Sequence, residues 1–194
     1  PLWSRGLGDV YKRQVFYCLF ISLTLLIMFI SMYSILNSYI TSSQVAGDMS
    51  AASIVKLFGV IGMLLSLLAG RLSSRLGMKR VLSIALATSV VSLILIGTFT
   101  NIVVITIFSV TFVAGIAFSI PTVISKIGVV VNSNQGFFLS VNTVILFLGT
   151  AIAPILMIYV EQLTNFFIQF AVIALIGLMS LIVSFFMPSD QRSY

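Results

Sequence analysis

Few residues of this chain can carry charge-based chemistry, and four of its ten cations stand together in Gly70-Arg71-Leu72-Ser73-Ser74-Arg75-Leu76-Gly77-Met78-Lys79-Arg80, with long apolar runs on both sides. Arg71 and Arg75 would lie near the C-terminal end of an incoming helix, where unpaired carbonyls favour cations. Gly77 can take the left-handed conformation of a tight turn. Arg75, Lys79 and Arg80 would then face anionic lipid headgroups. The pattern is that of a cytoplasmic hairpin joining two membrane-spanning helices.

What is missing narrows the chemistry further. The chain has no histidine and a single cysteine, Cys18, so the commonest metal ligand and general base is absent and no thiolate cluster can form. No Asp or Glu falls within an apolar run. Converging nucleophile, base or metal ligands are therefore not available inside the spans, and the sequence predicts no enzyme, no metal site and no cofactor. The net charge of +6 flanks apolar segments rather than covering a soluble face, which argues against a nucleic-acid partner.

Polar and small side chains inside the apolar runs are the remaining candidates. Ser31, Ser34, Asn37, Ser38 and Thr41 fall within an arc of about 120° at 3.6 residues per turn. Such an arc should face protein or water rather than lipid, either hydrogen-bonding to neighbouring helices or lining a cavity with Tyr33 and Asn37 as contacts. Gly59, Gly62, Ser66 and Gly70 form a small-residue stripe, as do Thr111, Gly115, Ser119 and Thr122; each would let backbones pack closely or would line a path. Asn142, Gly149 and Ala153 share a further helical face, followed by Pro154, a candidate hinge. Lys56 lies about two turns inside its run, placed either to snorkel to the interface or to meet an anionic group. Gln169, Phe112 and Phe147 are core, lipid-facing or substrate-wall residues.

The elements that must position these residues follow from composition. An apolar share of 60% with 7% charged residues is far from the quarter or so charged that soluble domains carry. Unbroken apolar runs point to helices rather than alternating barrel strands. Six spans are predicted, at about 15–40, 51–72, 81–99, 102–120, 136–159 and 165–187, each near the roughly 20 residues needed to cross hydrocarbon. A turn is expected at Thr100-Asn101, and Pro121 is expected to loosen the fourth helix so that 122–135, with Lys126, forms a link. Residues 1–14 read as a non-native leader, 15–187 as the six-span bundle and 188–194 as a short tail. The native frame would start near Val15, already inside a helix, which marks the chain as a fragment. With both termini cytoplasmic, Arg71, Arg75, Lys79, Arg80, Lys126 and Arg192 fall inside while Asp48 and Glu161 fall outside.

The hairpin resembles the signature loop of the major facilitator superfamily, with Gly70, Leu72, Arg75, Gly77, Lys79 and Arg80 in matching places. Ser74 stands where that family has an aspartate, and Met78 at one of its basic positions. It is similar to the weakened copy of the motif in the C-terminal half of such carriers. Leu148-Gly149-Thr150-Ala151-Ile152-Ala153-Pro154 likewise resembles the family's L-G-x-x-x-G-P element, with Ala153 replacing the second glycine.

The resemblance implies an all-α membrane protein whose six transmembrane helices form one half of a major facilitator fold, rocking against the other half. It implies a plasma-membrane secondary carrier for a small-molecule substrate, with proton coupling through a carboxylate in the missing N-terminal half. The apolar and aromatic content and the fifth-span element lean toward proton-coupled efflux of drug-like amphipathic compounds. Uptake of a sugar or other metabolite stays open, as does a six-span scaffold without transport activity.

Overall fold

The computed structural model describes residues 2–42, 57–60, 62–131 and 134–188. All regular elements among the described residues are helical: α1 (Leu2–Ser42), a 3-10 turn (Leu65–Leu68) leading into α2 (Ala69–Leu76), α3 (Met78–Thr98), α4 (Ile102–Val130), α5 (Gln135–Val160) and α6 (Phe166–Phe186). Among the described residues, six stretches are long and apolar enough to cross a membrane: Arg13–Tyr39, Leu57–Leu76, Met78–Thr98, Ile102–Val130, Gln135–Val160 and Phe166–Phe186. Helices are the form these runs must take, because hydrocarbon offers no partner to an unpaired backbone N–H or carbonyl.

Short polar turns set the boundaries. The side chain of Asn101 accepts from Val103 N–H at 2.9 Å and starts α4; Asn165 accepts from Phe167 N–H at 2.9 Å and starts α6. Each is an N-cap that satisfies an otherwise orphaned donor. The expected end of the fourth helix at Pro121 is corrected: α4 continues through it to Val130. Proline removes one backbone bond, but the flanking hydroxyls bond within the helix, Ser119 to Gly115 O at 2.9 Å and Thr122 to Phe118 O at 2.7 Å. Packing against neighbouring helices carries the chain past the break. Lys126 consequently lies inside a helix and is 3% exposed, not in an open link. At the other end of the chain, α1 runs back to Leu2 without interruption.

The core is layered around α1 and α3. The third helix packs most extensively on α4 and α6, while α1 lies against α5, α6 and α4. Leu25, Met28 and Met32 from α1, Leu86 and Leu93 from α3, and Phe170 from α6 are wholly buried there. Polar bonds stitch the seams. Ser22 donates to Asn142 Oδ1 at 2.7 Å between α1 and α5, the Thr24 and Ser180 hydroxyls bond between α1 and α6, and Ser83 and Ser184 lie 3.0 Å apart between α3 and α6. By contrast the Leu57–Leu76 and Gln135–Val160 spans keep most of their surface outside the bundle, with Leu67, Phe147 and Ile155 more than half exposed.

Candidate functional site

Two concave features among the described residues bear on function. The first is a groove of about 400 Å³ between α1, the second span and α4. Leu26 and Phe29 line it from α1, Met63 and Ser66 from the second span, and Val113, Ile116, Ala117, Ile120, Pro121 and Ile124 from α4. The α4 contribution follows helical spacing, so one face of that helix forms a continuous wall. Among the described lining residues, Ser66 is the only one whose side chain bears a hydroxyl. The groove can hold an apolar or amphipathic body by contact and desolvation, with little to offer a polyhydroxylated one.

Close backbone approaches hold this region together. A Cβ on Gly62 would stand 2.7 Å from Val110 O and 3.1 Å from Ala114 N of α4. One on Gly59 would collide with the Tyr33 hydroxyl, one on Gly115 with Ser89 Oγ, and one on Gly149 would meet Leu23 O at 2.6 Å. These glycines therefore sit where second span meets α1 and α4, α4 meets α3, and α5 meets α1. Tyr33 is half-buried and its ring meets Phe29 edge-on at 5.1 Å.

The other sequence candidates are dispersed. Asn142 is buried and spends its carbonyl on Ser22. Phe112 is wholly buried in the core, and Phe147 is 68% exposed on α5. Asn37 is exposed near the C-terminal end of α1. Gln169 is buried, its amide donating to Leu163 O at 2.6 Å. Ala153 is buried and Pro154 exposed on the outer face of α5. Lys56 lies outside the described residues.

The second feature is a cleft of about 850 Å³ at the hairpin, lined by residues 73–80 together with Ser83, Ile84 and Phe185. Gly77 links α2 directly to α3 with φ 88° and ψ 141°. Its φ is positive as expected, but the ψ lies outside the left-handed helical region, in a territory essentially restricted to glycine. Gly70 and Leu72 are exposed on α2, and Ser74 donates to its own helix at Arg71 O, 2.8 Å away. Lys79 reaches the end of α6 and donates to Phe185 O at 2.8 Å; Lys126 from α4 donates to Pro188 O at 3.2 Å. Cations from two helices thus meet the carbonyls at one helix C-terminus, the arrangement the helix dipole favours.

The described residues thus form six apolar spans with a basic hairpin between the second and third and a groove bounded by the first, second and fourth. The sequence matches the family model of the Major Facilitator Superfamily over residues 4–193. The chain belongs to the major facilitator superfamily. Among solved structures it is similar to that of the proton:xylose symporter XylE bound to 6-bromo-6-deoxy-D-glucose, with a TM-score of 0.81 and 15% identity. The likeness covers 94% of this chain and 46% of that one, so the chain spans about half the length of the symporter. No curated protein matches the sequence significantly.

The groove residues Leu26, Phe29, Met63 and Ile120 were not among the sequence candidates. Their signal is an apolar face at helical spacing, which cannot be told from a lipid-facing or core stripe when every face of the helix is apolar.

Proposed function

We propose that this chain is the C-terminal half of a proton-coupled secondary carrier in the plasma membrane that exports amphipathic, largely apolar compounds. The observation that carries the reading is the groove between α1, the second span and α4, whose walls, among the described residues, are apolar apart from Ser66. In this reading Leu26, Phe29, Met63 and Ile120 contact the substrate. The close contacts at Gly59, Gly62, Gly115 and Gly149 let the half move as one body, and Pro154 supplies a bend in α5. The proton-binding carboxylate would belong to the other half, because the six spans contain no acid. Both termini are cytoplasmic in this account, since that orientation gathers Arg71, Arg75, Lys79, Arg80 and Lys126 on the inner side.

The similar solved structure is that of a proton:xylose symporter, and uptake of a polar metabolite is the competing reading. A sugar would require several donors and acceptors converging on it, and among the described lining residues only Ser66 offers a side-chain hydroxyl. The test is transport by the full-length protein in proteoliposomes under an imposed proton gradient. Gradient-driven movement of an amphipathic cationic dye, with no movement of xylose, is the expected result. Movement of xylose without the dye would overturn the reading.

A further inference from the structure

The hairpin cleft has a chemistry that the carrier reading leaves unused. Arg75 and Arg80 line it and are exposed, and neither makes a hydrogen bond or ion pair among the described residues. Among the described residues, no Asp or Glu lines it. Ser74, which stands where the family pattern has an aspartate, is turned to Arg71 O, so it brings no negative charge to Arg75 and Arg80. Ser73, Ser74 and Ser83 line the cleft alongside the cations. The first turn of α3 adds donors: its backbone bonding begins with Val81 N–H to Gly77 O at 3.2 Å, ahead of which stand the N–H groups of Met78 and Arg80, and both residues line the cleft. Gly77 caps this turn without a side-chain bond.

One wall is of a different kind. Ile84 is 59% and Phe185 62% exposed, and both line the cleft beside the cations. Lys79 ties the two chemistries together by donating to the Phe185 carbonyl. A site that sets guanidinium groups and helix N–H donors next to exposed apolar side chains, at the end of a membrane-spanning bundle, fits a ligand with a phosphate head and a hydrocarbon tail.

We propose that this cleft binds one anionic phospholipid of the adjacent leaflet, its phosphate held by Arg75 and Arg80 and its acyl chain lying along Ile84 and Phe185. The site is a lipid site in its own right and does not depend on which compound the protein carries. The phosphate chemistry alone would also admit a soluble phosphate ester; the apolar wall is what favours the lipid.

The test uses the full-length protein in detergent, titrated with phosphatidylglycerol or with phosphatidylcholine of the same chains, counting retained lipid by native mass spectrometry. One phosphatidylglycerol should be retained in preference to phosphatidylcholine. The R75Q/R80Q double variant should weaken that binding by about thirtyfold, the worth of two cations at an anionic surface. Both arginines are exposed, so the variant should fold. Arg71 is exposed on the same hairpin but does not line the cleft, and R71Q should bind as the parent does. Soluble glycerol phosphate should not displace the lipid. Equal retention of the two lipids, an unchanged R75Q/R80Q variant, an equal loss in R71Q, or displacement by glycerol phosphate would each overturn the proposal.

Discussion

Replacing Gly149 by alanine tests whether the seam between α1 and α5 is set by backbone contact. The new Cβ would lie 2.6 Å from Leu23 O and 3.1 Å from Leu26 Cβ, where ordinary contact begins at 3.4 Å. The nearer atom belongs to the backbone, so no rotamer change relieves the clash and the two helices must part. Overpacking of this kind costs about 1 to 3 kcal/mol, which is about 5- to 140-fold in the ratio of folded to unfolded protein. Cys18 is 1% exposed on α1 and can report the opening of that helix by reacting with a fluorogenic maleimide, in a full-length background otherwise free of cysteine. G149A should lower the denaturant midpoint of this reaction. Gly136 provides the control on the same helix, because nothing lies within 4 Å of a Cβ placed there. If G149A unfolds at the same midpoint as G136A and the parent, the seam is not held by this contact and the packing argument fails.

Two further outcomes follow from seam chemistry. The Ser22 to Asn142 bond should show in a double-mutant cycle of S22A and N142L as a coupling of about 0.6 kcal/mol, with an upper bound of about 1.7 kcal/mol for such bonds in membranes; additive effects would mean the bond contributes nothing. Removing the two cations at the end of α6 with K79M and K126M should speed hydrogen exchange in its last turn by about two- to fivefold each, the worth of a cation at a helix C-terminus. Unchanged exchange would show that the Phe185 and Pro188 carbonyls do not need these lysines.

Much of the architecture is legible in the sequence because hydrocarbon length and the requirement for internal backbone bonding leave few options. The predicted turn at Thr100-Asn101 becomes the N-cap of α4, and Gly77 occupies the positive-φ position between α2 and α3. Pro121 misleads for a physical reason: in water a proline in this position ends a helix, whereas a helix in a packed apolar bundle loses more by stopping than by giving up one bond. The site was harder to read. Asn142 stands out in an apolar run, but its amide is spent on Ser22, and Phe112 is an aromatic in the core. Polar residues mark where helices are stitched together, while the groove is walled by leucine, isoleucine and methionine that nothing in a uniformly apolar sequence distinguishes.

The central claim, that the groove between α1, the second span and α4 is part of a substrate path, is tested most directly at Ala117, which lines it in mid-α4. The full-length protein with Cys18 replaced by serine and any other native cysteines removed would carry A117C, and its vesicles would be exposed to a membrane-impermeant thiol reagent. The account predicts labelling from the aqueous phase that a transported amphipathic compound slows. Absence of labelling from either side of the membrane, or labelling indifferent to every transported compound, would contradict it.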